Sequence, residues 1–305
     1  MIVQLRLSHV ARPLLVFSVE VLCLTALVVA AHGLSEPNPT AAPWIPSGAI
    51  GAFGSALAIF LAFRNQSAYA RWWEARKLWG TIVNESRTWA RRALSCVGTQ
   101  RESPHPEAVE LSQELVARQI AWVKTLASQL RGEGTPPREA LAPFLSPRDD
   151  ALFEAPNAAT FLLHLQGLDL ARAQREGWLS ELREQLLHET LSGLVDAQGG
   201  CERIKGTPFP RQYDSFPRAF TYAYVIYLPF YLVEALGWLT PLVSWPLCVA
   251  FLILEFSGRV LEDPFEPNRY ATATGAIGNT IERDLQFLLG RPLPEPHEVQ
   301  DGVLG

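Results

Sequence analysis

Charge is nearly absent from four stretches of this chain and crowded between them. The stretches are residues 13–32, 43–63, 219–236 and 239–256. Each reaches or approaches the ~20 predominantly apolar residues that a helix needs to cross the hydrocarbon of a bilayer. They come in two pairs, each joined by a short connection, so the pattern predicts two membrane hairpins and four transmembrane helices. Two buried hairpins of a soluble protein are the alternative, which gives no reason for runs so long to exclude charge. Pro229 lies inside the third stretch and is tolerated there if neighbours satisfy the carbonyl it frees. Arg6 and Arg12 before an apolar run resemble a secretion signal, but Glu20 interrupts that run and a second apolar stretch follows, which fits a hairpin better.

Basic residues orient the helices, because they are retained on the cytoplasmic side. Arg6 and Arg12 precede the first stretch, and Arg64, Arg71, Arg76 and Lys77 follow the second. Arg203, Lys205, Arg211 and Arg218 precede the third, and Arg259 follows the fourth. The connections 33–42 and 237–238 carry no Lys or Arg. Both termini, the segment 64–218 and the tail 257–305 are therefore expected in the cytoplasm, with the protein in the inner membrane. The cytoplasmic segment also reads as helix. Over 109–130, Leu111, Leu115, Ile120, Val123, Leu126 and Leu130 recur at three-to-four spacing, and over 178–198 so do Leu182, Leu186, Leu187, Leu191 and Leu194. Pro and Gly clusters at 132–137 and 206–210 mark loops. With no period-two strands, the expected class is all-α, a single unit over 1–305.

A formal net charge of −5 over 305 residues is too small to argue for nucleic acid. Cys23, Cys96, Cys201 and Cys248 show no CxxC spacing, and the six histidines form no ligand pair, so no metal centre is expected. No phosphate-binding glycine loop, nucleophile elbow or zinc-protease motif is present. Glu20 and Glu234 sit inside apolar stretches, and intramembrane carboxylates are functional candidates by default.

The second stretch is the most informative. Gly48, Gly51, Ala52, Ser55, Ala58 and Ala62 recur along it, and small residues let helices approach closely in lipid. Ile59 and Phe63 stand one turn apart on a neighbouring face. In a ring of copies they would meet around an axis, and an apolar constriction of that kind gates ions by dewetting. The sequence then runs into RNQSAYARWWEARKLWG (64–80) with no Pro and its only Gly at the end, so the same helix is expected to continue to about Leu94.

FRNQSAYARWWEARKLWG (63–80), GCERIKGTPFP (200–210), LEDPF (261–265) and IGNTIERDL (277–285) together resemble the bestrophins, specifically their bacterial homologues. The order and spacing of these motifs agree from the first span to about Leu289. The resemblance implies a homopentameric ion channel in lipid, with a narrow neck lined by the second helix of each copy above a wide cytoplasmic vestibule. Carried over by motif, the neck positions are Ser55, Ile59 and Phe63, and a second aperture falls at Ile204. Ser55 is smaller than the residue expected there. Arg71, Trp72, Glu74, Arg76, Trp79, Glu262, Asp263, Pro264 and Phe265 form the structural signature. Glu262 and Asp263 are expected to tie the end of the fourth span to the helix at Arg64. Animal bestrophins carry a calcium clasp after the PF motif. Here Asn268, Arg269 and Tyr270 follow Glu266, and calcium wants several oxygens and no intruding cation, so no calcium gating and no cofactor are expected.

The resemblance implies passage of chloride or other monovalent anions, with a monovalent cation channel of the same fold as the alternative. An apolar neck has no sign of charge. Glu36 in the outer loop favours cations weakly, and Arg64 would favour anions if it faced the axis. A membrane enzyme is a rival reading, but Glu262 and Asp263 would be its sole candidate acid–base pair and no His supports them. A non-conducting scaffold is the other rival, and a ring of partly small residues argues against a sealed neck.

Overall fold

The computed structural model describes residues 8–34, 47–98 and 105–297. These residues form α1 (Ser8–Leu34), α2 (Ser47–Cys96), α3 (Pro106–Leu130), a single turn α4 (Arg138–Leu141), α5 (Ala158–Arg175), α6 (Glu181–Gly206), α7 (Arg211–Leu236), α8 (Thr240–Val260) and α9 (Thr274–Leu288). Short 3-10 segments lie between some of them, and no strand occurs among the described residues. The chain divides into two compact units, Met1–Trp72 with Pro208–Asp263, and Trp73–Thr207 with Pro264–Gly305. α2 is one unbroken helix of 50 residues that contributes to both units, ending two residues beyond the expected Leu94.

The first unit holds the apolar helices. Pro13–Leu34, Gly48–Cys96 and Arg211–Val260 are long and apolar enough to cross a membrane. The last of these is two helices, because a 3-10 turn at Gly237–Leu239 breaks it. Gly237 adopts φ +52°, which costs a residue without a Cβ least. α7 and α8 fold back on one another, with Tyr224 and Phe251 ring centres 4.8 Å apart. α1 packs on α8, where the Thr25 and Ser244 hydroxyls lie 3.5 Å apart. Lipid is as apolar as leucine, so helix contact there is held by close packing and polar contacts more than by hydrophobic burial. Gly54 illustrates the packing: a Cβ at that position would lie 2.8 Å from the Tyr224 hydroxyl.

The second unit is a bundle around a continuous apolar core. All six leucine, isoleucine and valine positions read as the stripe of α3 are buried. Trp79, Trp89 and Trp122 are fully buried. Two of the three indoles have polar partners: Trp89 Nε1 donates to the Leu115 carbonyl at 3.1 Å, and Trp122 Nε1 to Gln198 Oε1 at 3.0 Å, while Trp79 Nε1 has none among the described residues. Arg118, also buried, donates to Asp149 at 2.9 Å and to Asp169 at 2.7 Å, so its charge is paired on both sides. In α6 the expected stripe holds at Leu187, Leu191 and Leu194 but fails at Leu182, which is exposed in the first turn. α6 also runs on through Gly199 and Gly200 to Gly206. Glycine is poor in a helix interior, yet a Cβ at Gly200 would lie 2.9 Å from Leu78. Close approach of α2 accounts for that glycine.

Candidate functional site: an open helix face backed by a buried arginine

The first part of α2 has two opposite faces. At 3.6 residues per turn, Gly54, Leu57, Leu61, Arg64 and Ala68 fall within roughly 180–260° around the axis, taking Ser55 as zero. All five are buried. Ser55, Ile59 and Phe63 fall at roughly 0°, 40° and 80°, diametrically opposite. All three are exposed, Ile59 at 59% and Phe63 at 68%. Ser55 turns its hydroxyl inward, donating to the Gly51 carbonyl at 2.9 Å, so it presents little polarity on that face. The expected neck positions therefore share one open, mostly apolar face of a helix whose other face is fixed against its own chain.

What fixes it is Arg64. The arginine is fully buried, so the condition for its acting as an anion-attracting charge on the axis is not met. Its Nη2 donates to Asp214 Oδ1 on α7 at 2.8 Å, and its Nη1 donates to the Glu255 carbonyl on α8 at 3.2 Å. The Glu255 carboxylate lies 3.8 Å away and that of Glu262, just past α8, 3.7 Å away. Glu255 is itself only 2% exposed and is approached by Arg218 at 3.7 Å and Arg259 at 3.9 Å. Three guanidinium groups thus stand among three carboxylates, and charge is balanced where none could be left single without a large desolvation cost. Beside this cluster Asn65 Nδ2 donates to the Leu254 carbonyl at 3.0 Å.

Gly258 on α8 makes this approach feasible. A Cβ there would collide with the Asn65 carboxamide and lie 3.3 Å from Arg64 Nη1. A Gly258→Ala change gains about 1 kcal/mol of helix propensity. It also displaces a hydrogen-bonded amide and crowds a buried charge, and overpacking alone costs about 1–3 kcal/mol. The clash is the larger effect, so thermal unfolding in detergent should occur at lower temperature than in wild type.

Burial, then the like charge of Asp214, pushes the Glu262 carboxyl above its ordinary value; Arg64, Arg71 and Arg218 oppose this without cancelling it. A carboxyl raised in the folded state contributes stability that is full below its unfolded pKa and is lost as pH rises through the folded one. Glu262→Gln should therefore flatten stability against pH. The variant should gain on wild type as pH rises from about 4 toward neutrality, as followed by thermal melts across that range.

The other expected site residues lie as follows. Arg71 stands over the Phe209 ring at 5.6 Å, and Trp72 stacks on Tyr69 with centres 6.0 Å apart. Glu74 accepts from Arg203 at 2.5 Å. Arg76 is exposed, Trp79 and Phe265 are core residues, and the Pro264 carbonyl accepts from Thr272 N at 2.7 Å. Asp263 is half-buried. Ile204, near the end of α6, is 4% exposed and belongs to the second unit's apolar core. Glu20 and Glu234 are exposed. Glu36 lies outside the described residues. Cys201 is held as a neutral thiol, its pKa pushed up to about 12 by burial, then by Glu202 and Glu74. Among the described residues no cluster of three or more His, Cys, Asp or Glu has the arrangement of a metal site. Asp214 and Glu255 were not legible as partners of Arg64, nor Arg218 as a second cation beside them. The one available signal was that Arg64 falls on the same helical face as Leu57 and Leu61.

Comparison with known proteins bears on this arrangement. A family profile described as Bacterial/Fungal Bestrophin protein matches residues 2–287. The chain is 36% identical over 233 residues to YneE of Escherichia coli K12, named a voltage-dependent anion channel-forming protein, covering 76% of this chain and 73% of that one. It is 33% identical over 276 residues to a similarly named protein of Ralstonia nicotianae, covering 89% and 86%. Among solved structures, a bacterial bestrophin homologue from Klebsiella pneumoniae superposes with a TM-score of 0.78 at 27% identity, covering 93% of this chain and 99% of that one.

Proposed function

The chain belongs to the bacterial and fungal bestrophin family, and on that premise we propose that it is a membrane channel for small monovalent anions such as chloride. Four helices cross the inner membrane in this reading: α1, the first part of α2, α7 and α8. Five copies surround an axis, both termini lie in the cytoplasm, and the chain's partners are its own copies, lipid and the permeant ion. Ser55, Ile59 and Phe63 of each copy line the neck. The observation that carries the reading is the open apolar face of α2, set opposite a buried stripe that an arginine cluster holds in place. An apolar face left open opposite a buried one suits a constriction that ions cross by wetting. Conduction is proposed to need no calcium, because Glu262 faces the Arg64 guanidinium at 3.7 Å and Asn268, Arg269 and Tyr270 follow Glu266 where the family's clasp would lie. The reading is that of a channel rather than an enzyme, in keeping with the names of its relatives.

A monovalent cation channel is the second reading. It is favoured by the neutralisation of Arg64, which removes the nearest positive charge from the neck. The reversal potential of purified protein in a planar bilayer under a potassium chloride gradient separates the two. A potential near that of chloride supports the anion channel. One near that of potassium replaces it with the cation channel and makes Glu36 the next residue to change. Protein that is pentameric and passes no current contradicts both.

A further inference from the structure

We propose that Gln66 is the residue that sets ion preference at the inner mouth of the neck, its carboxamide NH₂ being the first polar group an anion meets after Phe63; this rests on the channel reading above. At about 100° per residue Gln66 falls at roughly 20°, between Ser55 and Ile59 and on the same open face. It stands three residues past Phe63, about 4.5 Å further along the axis. It is exposed and its side chain makes no hydrogen bond to any described residue, so both ends of its amide are available. Its neighbour Ser67 differs on both counts. Ser67 falls at roughly 120°, toward the edge of the face. Its hydroxyl is already used, donating to the Phe63 carbonyl at 3.0 Å. The charged neighbour, Arg64, is turned to the opposite side and neutralised.

An ion within an apolar constriction has lost part of its hydration shell, and the first dipoles that replace that water distinguish one sign of charge from the other. A carboxamide can serve either sign, with its NH₂ toward an anion or its oxygen toward a cation. In a ring of copies, one amide per copy would surround the ion. Preference would then be set by a neutral and reorientable group, and a single change of charge there should alter it.

The test is the reversal potential and unitary conductance of purified Q66E, Q66A and Ser67→Ala protein in planar bilayers under a potassium chloride gradient, beside wild type. Elution at the wild-type oligomer size establishes that each variant is assembled. Q66E is expected to lower the anion-to-cation permeability ratio severalfold, moving the reversal potential toward that of potassium. Q66A is expected to lower conductance severalfold, and Ser67→Ala to change neither. Wild-type current with an unmoved reversal potential in Q66E, or equal effects of Ser67→Ala, overturns the assignment of Gln66 while leaving the channel intact. Absence of current from wild type itself overturns the channel reading and this assignment with it.

Discussion

Replacing Arg64 by alanine is expected to cost about 3–5 kcal/mol, the largest loss of any single change in the apolar unit, because it leaves buried carboxylates without their central partner. Asp214 loses a 2.8 Å hydrogen bond, and Glu255, almost fully enclosed, loses one of three surrounding cations. Thermal melting in detergent, followed by tryptophan fluorescence, measures the cost. Arg64→Lys keeps the charge but not the forked geometry that reaches α7 and α8 together, so it should recover only part of the loss. Combining Arg64→Ala with Asp214→Asn should cost less than the sum of the two changes, since neither group is then left charged and alone. Strict additivity would mean that the contact contributes little.

The second large effect is expected in conduction and not in stability. Ile59→Ala and Phe63→Ala remove bulk from the open face, where neither side chain is packed within its own chain. If that face forms an apolar constriction, trimming it lowers the barrier to wetting, and each 1.4 kcal/mol removed raises the rate about tenfold. The double variant should conduct at least about tenfold more than wild type while melting within ~1 kcal/mol of it, as is usual for changes away from packed positions. Leu61→Ala, on the buried face of the same helix, should do the reverse, lowering stability with little direct effect on conductance.

The helices were legible because their signals are periodic and local. The long uncharged runs, the leucine stripes of α3 and α6, and the unbroken passage from Phe63 into the tryptophan-rich segment each follow from spacing along one element. The motif positions of Ser55, Ile59 and Phe63 also fall on a common face, which is a local property. The arginine cluster was not legible, because its members are far apart in sequence: Asp214 and Glu255 lie 150 and 191 residues from Arg64, and only folding brings them together. Arg64 reads as a membrane-flanking charge until one notices that it shares a helical face with Leu57 and Leu61. The burial of Ile204 was not legible for a related reason: its motif gives its position along the chain, but how far a side chain near the end of α6 is enclosed is decided by the packing around it.

The central claim is that ions pass along the open face of α2. The most direct measurement is the bilayer current of Phe63→Cys protein, built with Cys23→Ser to remove the exposed native thiol, before and after a charged methanethiosulfonate reagent. The account predicts that labelling at residue 63 abolishes or sharply reduces the current, while the Cys23→Ser protein with Phe63 intact is unaffected. Unchanged current from protein shown by mass to be labelled at residue 63 would contradict it, and would mean that this face packs against lipid or another surface while ions travel elsewhere.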